Sequence, residues 1–324
     1  MTERILPLDP DNYQPHIIHG KDRVWAETNC YVDLWVELLH AMGHEPIAAL
    51  PFTLGIDFEG DQWTFFKFPL NDLYELYGLD VQELSIWRSL IDHIVEQVGR
   101  GRPVLVELDS FYLPDTTGTA YKLAHVKTTV AVNKIDIENR YMEYFHNQGY
   151  FQLKDEDFIK IFNMDPAPGT IVLPPYVEYV KIRRGKKLPP EQLLDISTSL
   201  LRKQLQLLPK ENPFKKFKPR FEHDLQWLMN ESLDTFHQYS FATLRQFGAC
   251  YELAHTYLQW LQQQRQENLD DSISAINEIS NGAKTYQFQL ARAMNRKKPL
   301  DTAPLDTMAN HWEDAMGSLK NLYL

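Results

Sequence analysis

Apolar residues fall into helical register just past a capping pair, Thr28-Asn29. Leu34, Leu38 and Leu39, with Trp35 beside them, recur until Gly43. Thr and Asn satisfy the free amides of a first turn and glycine ends a helix cheaply, so the pattern predicts an amphipathic helix opening at Cys30. Residues 1–24 are aperiodic and predict an extended arm. The stretch 48–58 predicts a loop or short strand, and the aromatic run over 58–68 a strand or wall segment that Pro69 ends. Helices follow over 71–77 and 87–98, the second with Trp87, Leu90, Ile91, Ile94 and Val98 on one face. β-branched content predicts strands over 103–109, 125–133 and 141–145, with a turn-rich loop over 110–120 and a polar turn over 134–140. A short helix over 155–162 and a strand over 170–173 complete this half.

Past residue 190 the period is helical almost throughout: 191–208, 221–238, 241–264, 270–295 and 304–322. Glycine-poor amphipathic stretches with short connections predict a bundle. Residues 181–190 are basic and punctuated by proline, and Lys215-Lys216-Phe217-Lys218-Pro219-Arg220 is a second basic knot, expected between helices. The fold class expected is α+β over 1–180, a linker over 181–190, and an all-helical domain over 191–324.

A chain of 324 residues can bury two cores, and 44% hydrophobic with 12% aromatic content describes a folded protein. The net charge of −11 argues against nucleic-acid or anionic-membrane binding. Two cysteines, Cys30 and Cys250, fit a reducing compartment. With no apolar signal core over 1–11 and no apolar run of spanning length, the expectation is a soluble, cytoplasmic protein.

Chemistry enters with Cys30. The free amides and positive dipole end of a helix favour a thiolate, which is what a nucleophile needs. The plain alternative is a small apolar residue packed at a helix start. His125 at the start of a strand, and His146 with Asn147 after the next, complete the chain order of papain-like (C39-like) folds. There a thiolate attacks an acyl carbon, an imidazole carries the proton, and a polar third group fixes the ring's tautomer. The Cys30 amide with the Asn29 or Gln62 side chain would serve the oxyanion, and Trp63, Phe65, Phe66 and Phe68 an acyl pocket; ordinary wall packing is the alternative for each aromatic. Cys250, amid Phe247, Ala249 and Leu253, reads as core.

Asn29-Cys30-Tyr31-Val32-Asp33-Leu34-Trp35, Asp57-Phe58-Glu59-Gly60-Asp61-Gln62-Trp63, His125-Val126-Lys127-Thr128-Thr129 and Phe247-Gly248-Ala249-Cys250-Tyr251-Glu252 resemble an uncharacterised bacterial family, domain of unknown function 1839. The resemblance covers nearly the whole chain. It implies neighbours such as acyl carrier proteins and amino-acid:carrier-protein ligases. More distantly, Gly101-Arg102-Pro103-Val104 through Leu108-Asp109-Ser110-Phe111 to His125 resembles the papain-like domain of butirosin-type acyltransferases. That resemblance implies Cys30 as acyl acceptor, His125 as base, a donor thioester on the phosphopantetheine of an acyl carrier protein, and an amine or amino-acid acceptor, with no bound cofactor or metal. It departs at the third member: an acidic residue is usual where His146 or Asn147 stands, and Asp109 is a possible substitute. The basic knots would then dock an acidic carrier; a solvated linker is the alternative.

Three rivals stand beside this reading. Glu37-Leu38-Leu39-His40 and Glu252-Leu253-Ala254-His255 both match the Glu-x-x-His signature of di-metal bundles, with Glu222, Glu231 and Asp234 as further carboxylates. A papain-like domain that only binds a carrier or partner needs no third member. A hydrolase uses water as the acceptor.

Overall fold

The computed structural model describes residues 2–21, 23–25, 29–165 and 173–324. The chain divides into two compact units, Met1–Gly20, Asn29–Pro46 and Leu73–Lys187 in the first, and Lys21–Thr28, Ile47–Asp72 and Leu188–Leu324 in the second. Each unit is drawn from three separate stretches.

The first unit is built on one antiparallel sheet. Its strands are β1 (Thr2–Arg4), β2 (Leu79–Glu83), β3 (Val104–Asp109), β4 (Lys127–Asp136), β5 (Tyr141–His146), β6 (Gly149–Lys154) and β7 (Val177–Ile182). They lie in the order β2-β7-β3-β4-β5-β6, with β1 on β4. Alternation along the strands gives the sheet two apolar faces. Val104, Val106, Val130, Val132, Met142 and Tyr144 point to one, where helices α3 (Leu90–Gly99) and α4 (Asp155–Ile161) cover them. Leu105, Ala131, Phe145 and Glu178 point to the other, which takes helix α1 (Cys30–Ala41): the Tyr31 hydroxyl donates to Glu178 at 2.9 Å. Asn29 caps α1, accepting the Val32 amide at 2.9 Å, and every residue from Tyr31 to Leu39 is buried. Thr28, the other half of the expected cap, lies outside the described residues.

Several expectations shift in this unit. The start of the arm is a strand of this sheet, β1 pairing with β4 from Thr2↔Asp136 to Arg4↔Lys134. Trp87 does not lie on a helix face. Ser89 caps α3 by accepting the Asp92 amide, which starts the helix after Trp87 and leaves that indole 79% exposed. Strand β4 begins at Lys127, two residues after His125, and runs on to Asp136 through what read as a polar turn. Strands β2, β6 and β7 were not signalled. Of the strand expected over 170–173, residues 170–172 lie outside the described residues, and Leu173 is exposed coil.

The second unit is helical: α5 (Pro190–Leu207), α6 (Pro213–Leu228), α7 (Leu233–Ser240), α8 (Gln246–Arg265), α9 (Asp270–Arg296) and α10 (Ala303–Tyr323). Helix α2 (Leu70–Tyr77) spans the point where the chain passes to the first unit. The helix expected over 221–238 is two helices, because Ser232 starts α7 afresh by accepting the Thr235 amide. A π-helical turn, Phe241–Arg245, joins α7 to α8. The second basic knot lies within α6 rather than between helices, with Pro219 inside the helix. Phe58 and Trp63 form an isolated bridge rather than a strand. Trp63 packs with Phe214, Phe217 and Phe247 at ring-centre distances of 5.0, 5.7 and 4.7 Å. None of the helices is long and apolar enough to cross a membrane, among the described residues.

Candidate active site

Strand β3 ends on Asp109, and the chain returns to β4 through a loop folded on its own hydroxyls. Ser110 binds the Val126 carbonyl with both its amide and its Oγ, at 2.9 and 2.8 Å, and Thr116 Oγ1 donates to the Ser110 carbonyl at 3.0 Å. The antiparallel register, Asp109↔Lys127, then brings His125 back beside Asp109. Asp109 Oδ1 accepts the Phe111 amide at 3.0 Å, and Oδ2 lies 2.6 Å from His125 Nδ1. Phe111 stacks on the imidazole at 4.3 Å and 11°. The ring is therefore held at one nitrogen and on one face although 67% exposed. A carboxylate at Nδ1 fixes the neutral tautomer with its proton there, so Nε2 is the basic nitrogen. His125 Nε2 makes no hydrogen bond among the described residues.

His125 and Asp109 line an open hollow of about 890 Å³. Its walls include Trp87, Leu90, Leu108, Val126, Ile161 and Phe162. Cys30 is not among the lining residues. It is the first residue of α1, half-buried, beside Tyr31 and its partner Glu178, which also accepts the Tyr176 hydroxyl at 2.8 Å. Thus the structure brings Asp109 and His125 together and leaves Cys30 outside the hollow's wall.

None of the other expected members lines the hollow. His146 is 1% exposed, with Nε2 2.7 Å from Thr128 Oγ1 and Nδ1 2.5 Å from Asp115 Oδ2, while Tyr144 donates to Asp115 Oδ1 at 2.6 Å. Asn147 sits in the β5–β6 turn at φ 47°, a left-handed position that Asn tolerates well. The Asn29 side chain caps α1, its Oδ1 accepting the Val32 amide. Gln62 is exposed and Trp63 buried in the second unit.

Sequence reasoning missed a buried polar cluster along α1. His19, on the arm, places Nδ1 on Glu37 and Nε2 on Asp33, the latter at 3.2 Å. Glu37 also accepts the Tyr13 hydroxyl at 2.6 Å and the His16 amide at 3.0 Å. Burial disfavours a charged ring, but the bonds to Asp33 and Glu37 outweigh it and raise the His19 pKa. Burial, with His40 nearby, lowers His16 to about 4. The signal was present: Cys30, Asp33, Glu37 and His40 recur at helical spacing on a helix otherwise buried all round.

Glu37 and Glu252, the carboxylates of the di-metal pattern, belong to different units, and Glu252 accepts from Arg23 Nε and the Val24 and Trp25 amides. No group of three potential ligands arranged for a metal occurs among the described residues. The second basic knot is paired within the chain, Lys215 with Glu313, Lys216 with Asp57, Lys218 with Asp306 and Arg220 with Asp224; in the first, Arg183 pairs with Asp80 and Arg184 donates to the Leu76 carbonyl at 3.1 Å.

A family model described as the DUF1839 N-terminal domain matches residues 14–182, and one described as the DUF1839 C-terminal domain matches residues 190–321. No curated protein sequence matches the chain.

Proposed function

We propose that this chain, which belongs to the DUF1839 family, is a cysteine–histidine acyltransferase with a papain-like first unit. The observation that carries the reading is the Asp109–His125 pair, bonded through Nδ1, at the wall of an open hollow. An aspartate that fixes the ring's tautomer supplies the orienting group, so neither His146 nor Asn147 is required. Cys30, capped by Asn29 at the start of a buried helix, is the nucleophile.

In the proposed reaction His125 Nε2 takes the Cys30 thiol proton and the thiolate attacks the carbonyl carbon of a carrier-bound thioester. The bond from acyl carbon to pantetheine sulfur breaks, the imidazolium returns its proton to that sulfur, and the acyl group rests on Cys30. An amine then attacks, His125 takes its proton, and the Cys30–acyl bond breaks to release an amide. The first exchange is close to thermoneutral, so positioning supplies most of the rate.

Intact-mass measurement after incubation with acyl-loaded carrier tests this. A single acyl adduct that forms more slowly in Asp109→Asn and is absent from Cys30→Ala supports it; no adduct under any condition overturns it. One observation favours a second reading, a carrier- or ligand-binding module without chemistry: Cys30 does not line the hollow. That reading requires binding of the carrier with no adduct.

A further inference from the structure

We infer that the His125 hollow takes an uncharged, apolar acyl group, aliphatic or aryl, rather than an aminoacyl group or a diacid half-ester. The inference rests on the acyltransferase reading only for the thioester that carries this group.

Charge bookkeeping in the walls is the first argument. Four charged side chains border the hollow, and each already has a partner within the protein. Glu107 is paired with Lys127 at 2.6 Å. Asp109 is paired with His125 at 2.6 Å. Arg88 donates to the Asp92 carbonyl at 3.3 Å, lies 3.8 Å from Glu96 and sits over the Trp87 ring. With His125 neutral, the two cationic side chains, Arg88 and Lys127, balance the two carboxylates, Glu107 and Asp109, so the wall offers no net field to an incoming ammonium or carboxylate, which would still lose part of its water.

The second argument is the apolar wall left exposed to solvent. Trp87 is 79% and Val126 50% exposed, and both border the hollow together with Leu90, Leu108 and Phe162. An exposed tryptophan beside a concave apolar surface marks a binding surface more often than a packing accident. The backbone that carries Trp87 is also anchored. His93 Nε2 accepts the Trp87 amide at 3.2 Å and the Arg88 amide at 3.4 Å, which fixes the main chain at the rim, and the indole meets the His93 ring edge-on at 5.9 Å and the Arg88 guanidinium at 5.5 Å. A volume of about 890 Å³ is within the range of pockets that enclose whole small ligands.

Isothermal titration of full-length Cys30→Ala protein, which cannot turn over, separates the cases. The probes are N-acetylcysteamine thioesters of octanoate, phenylacetate, alanine and succinate. Octanoyl and phenylacetyl thioesters are expected to bind at least tenfold tighter than alanyl and succinyl ones. Adding Val126→Asp is expected to weaken the apolar probes tenfold or more, and Trp87→Ala several-fold, with circular dichroism unchanged. Equal or tighter binding of the charged probes overturns the inference, as does indifference to both substitutions. The two claims fail separately. Apolar probes that bind without ever modifying wild-type Cys30 remove the transferase reading and leave the ligand class standing. An acyl adduct on wild-type Cys30 with no apolar preference among the probes does the reverse.

Discussion

His19 bridges two carboxylates inside the first unit, and removing it is the sharpest test of how that unit is held. The side chains of His19, Asp33 and Glu37 are at most 1% exposed. Replacement by glutamine keeps one donor and loses the positive charge, so two acidic groups are left to share what remains. Hydrogen bonds to charged groups contribute about 1.5–3 kcal/mol each, and breaking a buried ion pair costs about 3–5 kcal/mol. At roughly 2–4 °C per kcal/mol, the His19→Gln transition should fall by roughly 6–20 °C at pH 7. Calorimetry is the assay, and the transition to follow is that of the first unit, since two units can melt separately. The wild type carries a pH signature as well. The folded-state pKa of His19 is raised, so its contribution is fully present below the ordinary value of about 6.5 and is lost as pH rises through the raised value. Wild-type stability should therefore decline on the alkaline side. A His19→Gln melting point within 2 °C of wild type at pH 7 would show that the bridge does not hold the arm to α1.

Other outcomes follow from the same geometry. Asp109→Asn should leave the fold intact and lower acyl-transfer kcat by about 10²–10⁴-fold, because the ring can then adopt the wrong tautomer; single-turnover adduct formation reads this. Iodoacetamide should modify one cysteine in the native protein and two after denaturation. Cys30 is half-buried, whereas Cys250 is buried, its thiol pushed up by burial and donated to the Thr53 carbonyl at 3.3 Å. Two fast-reacting thiols in the native state would contradict that assignment. Gly248→Ala should destabilise the helical unit by about 1–3 kcal/mol or more, because the new methyl would overlap the Trp25 indole and stand 2.9 Å from Ala283 Cβ; urea unfolding measures it.

What the sequence disclosed follows from how local each signal is. Helix α1 was legible from Asn29 and the leucines, and α5, α9 and α10 from long amphipathic periods, since capping and period are written within a few residues. Strand β7 was not. The basic run from Lys181 read as the start of a linker and the residues before it carried no strand signal, yet Glu178 is buried because two tyrosine hydroxyls reach it, one from α1. Asp109 was weighed only as a substitute partner for His125, because the β3–β4 register that joins them closes across a long loop. The role of His19 was hidden for the same reason: nothing in residues 1–24 tells that the arm folds onto buried acids of α1.

Drawing each unit from separate stretches has a consequence for synthesis. Thr53 and Thr64 emerge from the ribosome long before the partners that bind their carbonyls, Cys250 and Gln246, which follow 197 and 182 residues later. At roughly 5–20 residues per second, the nascent segment around Trp63 waits on the order of ten to forty seconds with its indole and neighbouring phenylalanines uncovered. The helical half expressed alone from residue 190 lacks that segment altogether. Such a fragment should need a holdase to stay in solution, and supplying residues 47–72 as a separate peptide should relieve that need.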